Sequence, residues 1–219
     1  VLLILSKTPC KVITRVFLVL FFDINADLLK LLSAVIIAVF LGLPYLKKRL
    51  GKKNAKEFLD AGASHVIVTS YVFHDGKIDY ACLEKLVKAV GKEHLVLDLS
   101  CKKVNGEYRI VTDRWQKVTD EVVCYSCMDR LSEYCDEFLI HAVDVEGKAN
   151  GIETELVELL GKWQGVPVTY AGGVHSYKDL NLLKKLGKNR LNVTIGSALD
   201  LFGGKLKWEK VMATVYGKV

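Results

Sequence analysis

The sequence predicts an α/β fold in which helices cover a mostly parallel sheet wound as a barrel. Three observations carry this. From residue 54 onward, short strands and amphipathic helical stretches alternate in regular order. The strands are continuous apolar runs, as expected where helices cover a parallel sheet. Five strand–helix units fall within about 155 residues, which is the spacing of a barrel.

The units read in order along the chain. NAKEFLDAG is a helical stretch ahead of the strand HVIVTS (65–70), and ACLEKLVKAVG stands ahead of LVLDLS (95–100). CMDRLSEYC leads to EFLIHAVD (137–144), ETELVELLGKW to VPVTYA (166–171), and YKDLNLLKKLG to LNVTIG (191–196). Several of these helices close on Gly, as helix C-termini often do. Two insertions break the rhythm. KKVNGEYRIVTDRW reads as a hairpin turning at Asn105-Gly106, and VEGKANGIE reads as a loop. The last strand ends on Gly196-Ser197, after which a helix is expected. HVIVTSYVF and NVTIGSALD are similar, with Ser70 and Ser197 at the same point of each, an offset of 127 residues. A repeat that long suggests two similar halves.

The first fifty residues differ from the rest. VITRVFLVLFF and LLSAVIIAVFLGLPYL are dense in apolar residues, and KKRLGKK follows. Leu31 to Leu46 runs 16 residues without a charge, short of the roughly 18–20 that span a bilayer as a helix. Basic residues after an apolar run are also what a membrane anchor shows, but buried strands and helices are the preferred reading. No cleavage-site pattern marks a secretory signal.

Hydrophobic residues make up 51% and charged ones 26%, which excludes a disordered chain. The +6 charge is spread through helical stretches such as NLLKKLGKNR, a solvated basic surface. No basic run is interleaved with aromatics, which argues against nucleic acid, whereas a modest positive field suits a phosphorylated small substrate. Of Cys10, Cys82, Cys101, Cys124, Cys127 and Cys135, only CYSC at 124–127 forms a close pair. Without further ligands at zinc spacing no metal is expected, and the thiols read as reduced and cytoplasmic.

In barrels, chemistry collects at the C-terminal ends of the strands. Those ends hold Thr69-Ser70, Asp98, Asp144 with Glu146, Gly172-Gly173 and Gly196-Ser197. Gly172-Gly173 lets backbone amides approach a ligand closely, and Gly196-Ser197 would open a helix. Together they suit a phosphate, in the place where barrels frequently hold one; the alternative is that they are simple turn glycines. Asp98 and Asp144 would point into one mouth as general acid and base, or pair structurally with Lys102 or Arg114.

LVLDLSCKK, IVTDRWQK, FLIHAVDVEGK, VTYAGGV and VTIGSALDLFGG resemble the eukaryotic-type phosphoribosylformimino-5-aminoimidazole carboxamide ribotide isomerases of histidine biosynthesis. The resemblance runs from about Asn54 to the end of the sequence, and its motifs are long and specific. It implies a (βα)8 TIM barrel of two similar half-barrels, acting without metal or organic cofactor. The implied reaction is an Amadori rearrangement of an aminoaldose (ProFAR) to an aminoketose (PRFAR). The implied partner is a small bis-phosphorylated substrate, one phosphate to each half-barrel, bound by a monomer. On this resemblance Gly172, Gly173, Gly196 and Ser197 hold one phosphate, and Thr69 and Ser70 form half of the other site. Asp98 matches the second-half catalytic aspartate. Either Asp144 or Glu146 matches the supporting position in the sixth-strand loop, and Trp115 matches a mobile-loop tryptophan that covers the substrate ring.

The 127-residue offset also places Tyr45-Leu46 opposite Gly172-Gly173, where the family has a glycine turn. Bulky side chains there would block the backbone approach that a phosphate needs. The counterpart of Asp98 would precede residue 1, and Asp23 in FFDIN is the one stand-in. The expectation is therefore a single barrel domain over 1–219 whose first half-barrel is divergent or incomplete, with 1–53 unlike the family. Two functions follow from it: an isomerase of histidine biosynthesis, or a catalytically impaired barrel that binds a phosphorylated ligand or a protein partner.

Overall fold

The computed structural model describes residues 3–5, 53–60, 63–148 and 150–216. The chain runs from β1 (Leu3–Leu5) to α1 (Lys53–Asp60), β2 (Val66–Val68), β3 (Phe73–His74), β4 (Lys77–Ile78) and α2 (Tyr80–Val90). Next come β5 (Leu95–Asp98), β6 (Cys101–Val104), β7 (Glu107–Thr112), β8 (Lys117–Val122) and α3 (Tyr125–Ser132). It ends with β9 (Glu137–His141), α4 (Thr154–Gly161), β10 (Val168–Ala171), α5 (Tyr177–Leu186), β11 (Asn192–Ile195) and α6 (Trp208–Tyr216).

The main sheet has the order β1-β11-β10-β9-β5-β2. From β2 to β11 all neighbours are parallel and follow chain order, so each strand is laid beside the last with no reversal. That is the winding of a barrel wall and not of a doubly wound sheet. β1 pairs with β11 antiparallel, Leu3 opposite Ile195, so the sheet is not parallel throughout. Among the described residues the sheet is open, with β1 and β2 at its edges.

Parallel registers put alternate residues on alternate faces. Leu95, Leu97, Phe138, Ile140, Val168, Tyr170, Val193 and Ile195 take one face and enter the main core with Leu83, Leu86, Leu131, Leu156, Leu160 and Leu183 of the helices. On the other face Val96, Leu139 and Ala171 form a second, smaller cluster against Ile67. This explains why the strands read as unbroken apolar runs: both faces are covered. Further along that second face the side chains turn polar. Asp98 is in register with Leu139, and Ala171 is in register with both His141 and Thr194.

Local chemistry sets the boundaries. Asp79 caps α2 by accepting from the Cys82 amide, 2.9 Å away, and Ser176 with Asp179 forms a capping box at α5. The hairpin falls where expected. β6 pairs antiparallel with β7, and Asn105 and Gly106 have φ of 51° and 84°, the left-handed pair that a two-residue turn needs. KVTDEV adds β8 as a third strand, which the sequence did not suggest. The expected helix after Gly196-Ser197 is not there. The chain instead makes a single turn at Asp200–Phe202 and resumes a helix only at Trp208. Amides of Leu206 and Asp200 bond across the loop to Ala198 and Leu206 carbonyls, and Gly203 has φ 86°, which closes the loop on itself before a helix can run on.

Asp23, Tyr45-Leu46, Cys10 and the apolar run 31–46 lie outside the described residues. No described helix is long and apolar enough to cross a membrane. Cys101, Cys127 and Cys135 are buried free thiols. Burial pushes Cys127 up to about 11 and Cys135 up to about 12.

Candidate active site

β5 delivers Asp98 at its C-terminal end, on the polar stretch of the second face. Its Oδ2 accepts from the Thr69 hydroxyl at 3.2 Å, and its Oδ1 accepts from the Ser100 hydroxyl at 2.9 Å. Burial pushes the carboxyl above its usual range, against hydrogen bonds from Ser100 and Thr69 and the nearby His141, which pull it down. The result is a carboxyl whose proton is held more tightly than an exposed aspartate would hold it. Its partners are hydroxyls and not the basic residues considered from the sequence. The Lys102 ammonium donates instead to the Trp115 carbonyl, at 3.0 Å.

Trp115 sits on the β7–β8 turn, where Asp113, Arg114 and Trp115 have φ of 50°, 57° and 66°. Three consecutive non-glycine residues in the left-handed region store backbone strain. The turn is fastened by the Asp113 amide, which donates to Ser70 Oγ at 3.1 Å, and by the indole N–H, which donates to Ser100 Oγ at 3.2 Å. Thr69, Ser70, Asp98, Thr112, Arg114 and Trp115 thus line one cleft of about 680 Å³.

A second cleft, about 350 Å³, lies at the ends of β10 and β11 and is lined by Glu146, Gly172, Gly173, Thr194, Gly196 and Ser197. The glycines there are not equivalent. Gly172 has φ 114°, and a Cβ would stand 2.7 Å from the Ala142 carbonyl; Gly173 has φ 72°, and a Cβ would land on the Gly151 carbonyl. The backbone demands glycine at both positions, and both line the cleft. A Cβ at Gly196 would meet nothing within 4 Å, so that position is open toward the cleft. Thr194 is 3% exposed, and its hydroxyl has no hydrogen-bond partner among the described residues. An unpartnered buried hydroxyl at a cleft wall is costly unless a ligand satisfies it. Lys205 supplies a cation at the same cleft.

The two clefts share a wall. His141 lines the second, and its ring stands edge-on to the Trp115 indole of the first, with centroids 5.0 Å apart. His141 Nε2 lies 3.1 Å from Glu146 Oε2. Asp98 and Asp144 do not point into one mouth. Asp144 sits in the turn Val143–Val145 and accepts from the Lys103 amide at 2.7 Å, tying β6 to the loop, and it lines neither cleft. Of the two acidic residues in DVEG, Glu146 is the one at the cleft. His141 and Thr194 were missed from the sequence. Each is a polar residue inside an apolar run, and the strand registers are what put both on one face.

Residues 51–207 match the family described as Histidine biosynthesis protein. The sequence is 53% identical over 164 residues to the chloroplastic 1-(5-phosphoribosyl)-5-((5-phosphoribosylamino)methylideneamino)imidazole-4-carboxamide isomerase of Medicago truncatula, covering 75% of this chain and 53% of that protein. The enzyme of the same name from Yarrowia lipolytica is 47% identical over 159 residues, covering 69% of this chain and 60% of its own length. That of Saccharomyces cerevisiae is 41% identical over 150 residues, covering 66% and 58%. The chain therefore spans between half and two thirds of the length of these relatives.

Proposed function

The chain belongs to the histidine biosynthesis protein family, and from that premise we propose that it is an isomerase converting an aminoaldose that carries a phosphate at each end into its aminoketose. The observation that carries the reading is Asp98, a proton-retaining carboxyl that lines one of two adjoining clefts, each lined by hydroxyls and a cation. A substrate with two phosphates would place one in the Gly196–Ser197 cleft beside Lys205 and the other beside Thr69, Ser70 and Arg114. Its ribose would then cross the wall at Asp98.

An Amadori rearrangement opens the ribose by protonating the ring oxygen, which leaves an imine at C1. Loss of the C2 proton gives an enolamine, and return of a proton to C1 with loss of the C2 hydroxyl proton gives the ketone at C2. A carboxyl with a raised proton affinity serves both halves, giving a proton to the ring oxygen and then, as carboxylate, accepting the one from C2. Thr69 and Ser100 orient it in either state. The Trp115 indole, hydrogen-bonded to Ser100, would cover the ring and exclude water, and Glu146 would act through His141 as the local helper. Hydroxyls, glycine amides and single cations are suited to phosphate and to proton transfer, and the reading needs no cofactor. A small-molecule partner, a monomer and a cytoplasmic location complete the proposal.

The test is conversion of the aminoaldose by the purified protein, before and after Asp98→Asn. Turnover that falls at least about 100-fold in the variant supports the reading, since a positioned acid or base is worth roughly 10²–10⁴-fold. Turnover indifferent to Asp98→Asn would overturn it. Absent turnover with retained binding of inorganic phosphate would favour the impaired barrel instead.

A further inference from the structure

Behind Ser70 the chain folds into the β3–β4 hairpin and then enters α2, and three side chains of different chemistry meet there. His74 is on β3, Asp79 is the residue that caps α2, and Cys82 lies in the first turn of that helix. Asp79 uses one oxygen for the cap and turns the other toward His74, with Oδ2 3.7 Å from Nε2. Cys82 Sγ is 3.9 Å from the same nitrogen. All three potential ligand atoms lie within 4.8 Å of one another, the one such group of histidine, cysteine and carboxylate among the described residues.

We propose that His74, Asp79 and Cys82 bind a divalent cation of the zinc class, with water completing a tetrahedral site. Zinc bonds of about 2.0–2.1 Å to N and O and about 2.3 Å to S place neighbouring ligand atoms roughly 3.3–3.6 Å apart. The two histidine pairs are within a few tenths of an ångström of that. A thiolate, an imidazole and a single carboxylate form a mixed soft set, which selects zinc or cobalt over magnesium or calcium. His74 is exposed and Cys82 half-buried, so both the ion and its water can reach the site.

The ion would close a loop that already has two backbone ties, from the Asp79 amide to the Val72 carbonyl and from the Asp120 amide to the Gly76 carbonyl. Its effect would be to stiffen the segment that begins at Ser70, a residue of the Asp98 cleft. The proposal is independent of the isomerase reading.

The experiment is titration of the chelator-treated protein with Co(II) at neutral pH. The expected result is a thiolate-to-cobalt charge-transfer band with visible bands of tetrahedral intensity, saturating at one equivalent. Cys82→Ser should abolish the charge-transfer band. His74→Ala, at an exposed position, should weaken affinity at least about 100-fold, and Cys124→Ser, a half-buried thiol elsewhere, should leave both unchanged. Zinc should raise the melting temperature of the parent and not of Cys82→Ser. No band, a band that survives Cys82→Ser, or an affinity unchanged in His74→Ala would overturn the proposal.

Discussion

The ring of His141 meets the indole of Trp115 edge-on, with an interplanar angle of 81°, and this contact makes one wall serve two clefts. Trp115 reaches Asp98 through the Ser100 hydroxyl, and His141 reaches Glu146 directly. Groups from β5, β9, the turn after it and an inserted hairpin therefore meet at one place, although they are spread over 49 residues, Asp98 to Glu146.

Asp98→Asn should stabilise the fold at neutral pH while removing activity. Burial raises the folded-state proton affinity above the unfolded value, so the folded protein binds more protons through that window. Ionising Asp98 thus costs stability as pH rises through its folded value, and asparagine avoids the cost. Urea denaturation should show the variant ahead at neutral pH, with the gap closing as pH falls toward the ordinary carboxylate range.

Gly173→Ala and Gly196→Ala should separate folding from binding. At Gly173 the backbone is left-handed and a Cβ lands on the Gly151 carbonyl, so the variant should lose more than about 1 kcal/mol of stability. At Gly196 the space is open, so stability should hold while phosphate binding weakens as the cleft fills. Parallel melting curves and phosphate titrations distinguish the two.

Thr194→Val removes the hydroxyl without changing the shape. A buried unpaired polar group costs about 1–3 kcal/mol, so the variant should be at least as stable as the parent. If the hydroxyl serves a phosphate, the same substitution should raise KM with little change in kcat. Steady-state kinetics beside thermal denaturation reads both.

Arg114→Gly should relax the β7–β8 turn. The left-handed conformation costs a non-glycine residue about 1–2 kcal/mol, part of which is returned to the more flexible unfolded chain. A modest gain in melting temperature is expected, with weaker phosphate affinity through loss of the cation at the Asp98 cleft. An unchanged phosphate affinity would remove Arg114 from that site.

The winding was legible because apolar runs and helical periods alternate from Asn54 onward, and the structure keeps all five expected strands within a few residues. The strand ends were legible for a similar reason. Asp98, Thr69, Glu146 and the glycines are the polar or small residues that interrupt those runs, and all of them line a cleft. What could not be read was direction. Asp144 and Glu146 are two places apart, and only the turn at Val143–Val145 decides which carboxylate is used by the Lys103 amide. The loop after Ser197 failed as a helix because its determinants are backbone bonds between Ala198, Asp200 and Leu206, which leave no periodic pattern. His141 and Thr194 were hidden because a single polar residue within an apolar strand gives no clue to which face it takes.

The order of strands has a further consequence, for synthesis. From β2 to β11 every strand of the main sheet pairs with the strand of that sheet made before it, so each unit can dock on a finished neighbour as it leaves the ribosome. Local pairing of this kind keeps loop closure cheap and limits the time an apolar edge is left waiting. The pairing of Leu3 with Ile195 is the exception. It joins the first described residues to the last strand, so that seam can form only after nearly everything else has been made.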